Sequence, residues 1–268
     1  MIRRPARAYA GYAFDLDGTL YLGDRALPGA VETVGRIREM GSRAVFVTNN
    51  PLKTSAEYAE KLVGLGIPVR ADDIVTSLDS LVHYLERTHP AARILCVGEP
   101  LLGEVLSAHG FRVTGDPAAT DVVAVAFDRT FDYAKLNAAY RAVRLHGAAL
   151  VATNPDPYCP TPDGGIPDCA AMLAAVEACT GARAEAITGK PSEHMAATIL
   201  NRLNVPPADA AMVGDRILTD MSMANVMGMA SVLVLSGATR VEDLETASVR
   251  PAYVIDGVGQ LLPEGGSG

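Results

Sequence analysis

The chain has 268 residues, 49% of them hydrophobic, with 31 acidic residues against 23 lysines and arginines for a net charge of −8. That apolar fraction is enough for a buried core in one large domain or two smaller ones, while an acidic balance without a basic stripe argues against attraction to nucleic acid or anionic lipid. No apolar run reaches the roughly 18 to 20 residues of a membrane span, and the basic start Met1-Ile2-Arg3-Arg4-Pro5-Ala6-Arg7 leads into too few apolar residues for a secretory leader, so a cytoplasmic protein handling small metabolites or metal ions is expected.

Short β-rich runs alternate with helix-period segments almost from end to end, which predicts parallel βαβ units. A strand is expected near Gly11 to Leu16, a helix near Ala30 to Met40 closed by Gly41, and a strand from Ala44 to Val47 that ends at Thr48-Asn49-Asn50-Pro51. Thr54-x-x-Glu57 reads as a capping box opening a helix to about Leu65, and Val75-Thr76 as a further short strand. The pattern then restarts. Ile94 to Val97, Phe111 to Val113, Val122 to Val125 and Ala149 to Ala152 are four expected strands, with helices near Leu101 to His109 and Tyr133 to Leu145. The segment from Thr153 to Gly165 carries Pro155, Pro157, Pro160 and Pro162 and reads as a long, stiff loop suited to binding. A helix is expected from Ala170 to Glu177 with its flanks, which hold Cys169 and Cys179. After about Ala184 the first pattern resumes, with a helix near Ser192 to Leu203, a strand Ala211 to Val213 ending at Gly214-Asp215, a helix around Thr219 to Met227, and strands at Ser231 to Leu235 and Tyr253 to Ile255. Residues 1–78 and 186–268 are thus expected to form one domain, with 79–185 inserted as a second α/β domain.

Cys96, Cys159, Cys169 and Cys179 show no CxxC spacing and read as ordinary buried or half-buried thiols. The five histidines are scattered without ligand spacing; His194, four residues after Lys190, is the one placed to approach a site there, and a packed or solvent-facing ring is the expectation.

The chemistry concentrates at strand ends. In Asp15-Leu16-Asp17-Gly18-Thr19 the two carboxylates lie two residues apart, on one face of an extended strand. Charges about 4 Å apart repel by roughly 4 kcal/mol at an effective dielectric near 20, so such a pair calls for a cation, a shared proton or open water. In an open parallel sheet the ligand site lies beyond the carboxyl ends of the strands at a topological switch point. Thr48-Asn49-Asn50 and Gly214-Asp215, followed by Asp220, end other strands, and Gly189-Lys190-Pro191 opens a helix. Asp15 and Asp215 offer hard oxygen ligands for Mg²⁺, with Asp220 holding a bound water. The Thr48 hydroxyl, the N–H groups after it and the Lys190 charge suit a phosphate. Each motif alone is an ordinary turn; their joint order at strand ends and a helix start is what gives them weight.

With these motifs in this order the chain resembles the haloacid dehalogenase superfamily of phosphatases, most closely its type IIA, NagD-like or 4-nitrophenylphosphatase-like branch. Asp15-x-Asp17-Gly18-Thr19 is similar to the family's first motif, Val47-Thr48-Asn49-Asn50 to its second, Gly189-Lys190-Pro191 to its third, and Gly214-Asp215-Arg216-x-x-Thr219-Asp220 to its fourth. The resemblance spans nearly the whole chain. It implies an α/β fold, a Rossmann-like parallel-sheet core with an inserted α/β cap domain that sets substrate choice. It implies that Asp15 is the nucleophile and Asp17 the general acid and base, with Mg²⁺ held by Asp15, the main-chain carbonyl of Asp17, Asp215 and, through water, Asp220. Thr48, Asn49, Asn50 and Lys190 would bind the phosphoryl group. The implied reaction is Mg²⁺-dependent hydrolysis of a small phosphorylated metabolite, a sugar phosphate, nucleoside monophosphate or glycerol phosphate, with p-nitrophenyl phosphate as an artificial substrate.

One departure stands out. Related caps run into a glycine-rich stretch where this chain has Ile166-Pro167-Asp168-Cys169-Ala170-Ala171. Asn154, Asp156, Tyr158, Asp163 and Asp168 are the candidate substrate contacts of the cap, and their acidic and hydroxyl character favours polyols or sugars over a second phosphate. Three alternatives bear on the same residues. A dehalogenase needs no acid to protonate an alkoxide, which Asp17 argues against; a phosphorylated receiver module is less than half this length; a catalytically altered phosphate-binding protein would not need every charged position filled. The apolar fraction leaves a homodimer open.

Overall fold

The run Gly11–Asp15 carries apolar side chains on both of its faces and is buried as far as Phe14. A strand without a polar face belongs inside a parallel sheet. In the computed structural model, which describes residues 2–159 and 165–263, this strand pairs in parallel with Arg43–Thr48 on one side and with Ala210–Gly214 on the other. It is a central strand of a six-stranded sheet whose order is Tyr253–Ile255, Ala230–Val234, Ala210–Gly214, Gly11–Asp15, Arg43–Thr48, Ile74–Thr76. The chain builds outward from Gly11–Asp15 in one direction, then returns to its other side, so a switch point lies between Asp15 and Gly214.

The packing follows from sequence periods. Helix Ala30–Glu39 buries Ala30, Thr33, Val34 and Ile37, one stripe at helical spacing. It ends as expected at Gly41, whose φ of 75° lets its N–H reach the Arg38 carbonyl at 3.0 Å while Ser42 N–H reaches the Ile37 carbonyl at 3.1 Å. Beneath it, Tyr12 stacks on Phe14 and Phe14 on Phe46, with ring centroids 6.0 and 5.8 Å apart.

A second sheet has five parallel strands in the order Ala186–Ile187, Ala149–Ala152, Val122–Val125, Arg93–Val97, Arg112–Val113. Successive residues of its strands serve different layers: Ile94 and Val122 join a core with Leu81, Leu85 and Leu106, whereas Leu95 and Val123 join one with Ala139, Leu173 and Val176.

The chain forms two compact units. Residues 2–48, Ser55–Val75 and 196–263 make one, and Asn49–Thr54, 76–159 and 165–195 the other. The sequence reading sets the divisions at 78/79 and 185/186, within about ten residues of these bounds. Ala186–Ile187 hydrogen-bonds to Ala149–Ala152 in the five-stranded sheet, and this carries the later division past Lys190.

Other differences are local. Helix Ser77–Thr88 has no counterpart in the sequence reading; it is opened by a capping box in which Asp79 N–H donates to Thr76 Oγ1 and Thr76 N–H to Asp79 Oδ2. The helix expected from Tyr133 to Leu145 is α-helical over Tyr133–Tyr140 and widens to a π turn over Arg141–Leu145. That expected around Thr219 is a π turn, Ile217–Met221, followed by helix Ser222–Met227. Among the described residues no helix is long and apolar enough to cross a membrane.

Candidate active site

Asp15 ends the central strand, and the chain folds back at once. The Leu16 carbonyl accepts from the N–H groups of Thr19, Leu20 and Tyr21 at 3.3, 2.9 and 3.4 Å, and Gly18 N–H donates to the Tyr21 carbonyl at 2.8 Å. Gly18 has a φ of 84°, and a Cβ there would stand 2.4 Å from Asp215 Oδ2, so this position needs glycine twice over. The buried Thr19 hydroxyl donates to Asp15 Oδ2 at 3.5 Å. Asp17 is exposed, and the buried Tyr21 hydroxyl donates to its Oδ2 at 3.2 Å. Burial, then the charge of Asp17, keeps that phenol protonated far above the ordinary range, so it remains a donor. Lys61 Nζ caps the face of the Tyr21 ring, 3.8 Å from its centroid.

Asp215 follows the neighbouring buried strand Ala210–Gly214. Its Oδ2 accepts from Ala238 N–H at 2.6 Å and its carbonyl from Thr239 N–H at 3.2 Å, while Ser236 Oγ donates to the Gly18 carbonyl at 2.7 Å. The loop 236–239 thus clamps both the Asp215 carboxylate and the turn after Asp15. Asp220 is fully buried, and its Oδ2 accepts from Arg216 N–H at 3.2 Å.

These elements bring three carboxylates together. One oxygen each from Asp15, Asp215 and Asp220 lies within 4.8 Å of the other two. Burial, then the charges of Asp15 and Asp220, pushes the Asp215 carboxyl up to about 7. Asp215 Oδ1 is closed off from water with no hydrogen-bond partner. A cluster of hard oxygens that repel one another, with one buried lone-pair atom left unused, fits a divalent cation of the Mg²⁺ type. The Asp17 carboxylate is not one of the three.

The second set of predicted residues is arranged differently. Thr48 is buried at the end of the strand beside Asp15, whose register partner is Val47. Asn49, Asn50 and Lys190 lie in the second unit. There Asn49 Nδ2 donates to Asp156 Oδ2 at 2.8 Å and to the Lys190 carbonyl at 3.0 Å, Asn49 Oδ1 accepts from Lys190 N–H at 2.8 Å, and the Asn49 carbonyl accepts from Ser77 Oγ and Asn154 Nδ2 at 2.7 and 2.9 Å. The Asn49 amide is therefore spent on holding the buried Lys190. A Cβ on Gly189 would stand 2.4 Å from the Thr153 carbonyl, which explains glycine before that lysine. Asn50 Oδ1 accepts from Leu52 N–H at 3.0 Å in an Asx turn.

The candidate cap contacts separate in the same way. Asn154 is buried with its Oδ1 unpartnered, and Asp156 is tied to Asn49. Tyr158 is exposed in a small hairpin of Tyr158–Cys159 with Ile166–Pro167. Asp168 is buried as the cap of helix Cys169–Thr180, its Oδ1 accepting from Cys169 N–H. Asp163 lies outside the described residues. His194 packs edge-on against Tyr84, with centroids 4.7 Å apart. All four cysteines are free thiols, and burial pushes Cys96 up to about 12 and Cys169 to about 11.

Sequence reasoning missed Tyr21, Lys61 and the 236–239 loop. Tyr21 reads as a core aromatic, and the loop acts largely through main-chain N–H groups that residue types do not advertise.

Residues 12–112 match the family model described as haloacid dehalogenase-like hydrolase, and residues 187–261 match a second, HAD-hydrolase-like model. The chain belongs to the haloacid dehalogenase-like hydrolases. Within that family it falls in the NagD-like, 4-nitrophenylphosphatase-like branch. Sugar-phosphatase AraL of Bacillus subtilis is 32% identical over 249 residues, covering 93% of this chain and 90% of that protein. The 4-nitrophenylphosphatase of Thermotoga maritima superposes with a TM-score of 0.89 at 36% identity, covering 94% of this chain and 95% of that one. Glycerol phosphate phosphatase from Mycobacterium tuberculosis, solved in complex with magnesium, gives a TM-score of 0.87 at 33% identity over 94% of this chain and 77% of that one.

Proposed function

We propose that the protein is a Mg²⁺-dependent phosphatase that hydrolyses small-molecule phosphomonoesters through an aspartyl-phosphate on Asp15. The observation that carries this reading is the meeting of Asp15, Asp215 and Asp220 oxygens within 4.8 Å, with Asp215 Oδ1 buried and unused. The names of the relatives, a sugar phosphatase, a 4-nitrophenylphosphatase and a glycerol phosphate phosphatase, support the same reaction class.

Asp15, the Asp17 carbonyl, Asp215 and Asp220 would hold Mg²⁺, which when bound offsets the repulsion between carboxylate and phosphate and withdraws charge from the phosphoryl oxygens. Asp15 attacks phosphorus as the bond to the leaving oxygen breaks. Asp17, held by the Tyr21 hydroxyl, gives its proton to the departing alkoxide. It then takes a proton from the water that cleaves the acyl phosphate, a role worth on the order of 10² to 10⁴ in rate. Thr48, Asn49, Asn50 and Lys190 are the proposed phosphoryl-binding group, Lys190 supplying charge and Asn49 acting through its hold on that lysine. Residues 79–185 are proposed as the cap that selects the substrate, with Asn154, Asp156 and Tyr158 as its polar contacts. These favour a polyol or sugar phosphate.

Asp15→Asn is expected to abolish release of p-nitrophenol from p-nitrophenyl phosphate while the far-UV circular dichroism spectrum stays unchanged; near-normal turnover would refute the nucleophile. Activity is expected to vanish in EDTA and return with Mg²⁺. Ranking kcat/KM over a panel of phosphorylated metabolites identifies the substrate.

A further inference from the structure

At the amino end of the six-stranded sheet, where Arg43 opens the strand that closes with Thr48, a cleft of about 400 Å³ is lined by Arg38, Arg43, Arg70 and Arg202 together with Asp72 and Asp73. Four guanidiniums face two carboxylates there, in a chain whose net charge is −8. The excess is held in place by the fold. Arg38 Nη2 pairs with Asp73 Oδ2 at 2.6 Å and Arg70 Nη2 lies 3.5 Å from Asp72 Oδ2. Arg43 Nη1 donates to the Leu203 carbonyl at 3.2 Å, and Arg202 Nη1 donates to the Asp72 carbonyl.

Each of these contacts engages one terminal nitrogen of a group that carries five N–H donors. Asp73 Oδ2 is already shared, since it also accepts from Arg70 N–H at 2.9 Å. Clustered guanidiniums repel unless an anion sits among them. Forked donors of this kind match phosphoryl oxygens two at a time.

We propose that this cleft is a second anion site, independent of the active-site reading, that binds a compact polyanion of the pyrophosphate or bisphosphate class. Its size and lining favour that class. Among the described residues no aromatic ring lines it to offer a stacking face to a nucleobase, while the spare donors outnumber what a single carboxylate can accept.

The test is calorimetric titration of inorganic pyrophosphate into the full chain in EDTA, at ionic strength held constant with NaCl, alongside Arg43→Ala/Arg70→Ala and Arg202→Ala. All three altered residues are exposed. Wild type is expected to bind pyrophosphate, and each variant to bind it more weakly, by roughly tenfold or more for the double variant, with p-nitrophenyl phosphate turnover in Mg²⁺ unchanged. If the double variant does not fold, Arg202→Ala decides. Absence of binding by wild type, equal affinity in folded variants, or a loss of affinity produced only by Lys190→Ala would overturn the proposal.

Discussion

The acidic cluster of Asp15, Asp215 and Asp220 and the knot around Asn49 have both gathered polar side chains at strand ends, with opposite energetics. In the cluster, like charges crowd within 4.8 Å, one carboxyl is pushed up to about 7, and a buried oxygen has no partner. In the knot, the Asn49 amide donates twice and accepts once, and its carbonyl accepts twice more. The cluster crowds charges that have no counter-charge among them, whereas every polar atom of the Asn49 side chain in the knot has a partner. A satisfied polar network gains rigidity from its low-dielectric surroundings, and an unsatisfied one loses stability there. One region stores the potential to bind, and the other fixes a lysine in place.

That contrast predicts that damage to the two regions registers in different measurements. Asp215→Asn is expected to lower p-nitrophenyl phosphate turnover by on the order of 10³, yet to leave the melting temperature in EDTA equal or higher, because it removes repulsion. A lower melting temperature in EDTA would break the comparison. Asn49→Ala should register in stability as well as in turnover: losing three side-chain hydrogen bonds at about 1 kcal/mol each costs several degrees of melting temperature, read by calorimetry in EDTA. Tyr21→Phe sharpens the picture on the cluster's side. It removes one hydrogen bond to Asp17, so kcat is expected to fall by roughly tenfold, while the Mg²⁺ concentration for half activity stays constant.

The smallest effect is expected far from either region. Arg93 Nε and Nη2 donate to Asp121 at 2.9 and 2.7 Å and hold its carboxyl down at about 2. A carboxyl depressed in the folded state contributes stability that is fully present above its unfolded value near 3.8 and is lost as pH falls through about 2. Arg93→Ala should lower the melting temperature slightly at pH 6, since both groups are solvent-exposed, and by less at pH 2, where the Asp121 carboxyl is about half protonated in the folded state.

Much of the fold was legible because its central strands are apolar on both faces. Gly11–Asp15 and Val122–Val125 declare a doubly covered parallel sheet by composition alone. The acidic cluster was legible because Asp15 and Asp215 each follow such a run without a break. Helix Ser77–Thr88 was not, although Thr76-x-x-Asp79 and the spacing of Leu78, Leu81, Val82 and Leu85 signal it; the preceding strand flows into it without a turn residue. Asp168 shows a different obstacle. A short acidic side chain before a helix reads equally well as a ligand or as a cap, and only the hydrogen bond to Cys169 N–H separates them. The 236–239 clamp left least trace, since most of its contacts are made by the main chain.

The strand that ends in Asp15 is flanked on both sides by parallel partners and buried through Phe14. Its amides are expected to exchange with deuterium slowest in the sheet, through opening of the sheet as a unit. Heating should therefore silence the catalyst in one step with unfolding of its sheet, leaving no temperature window in which the protein is still folded but Asp15 has already wandered from its post.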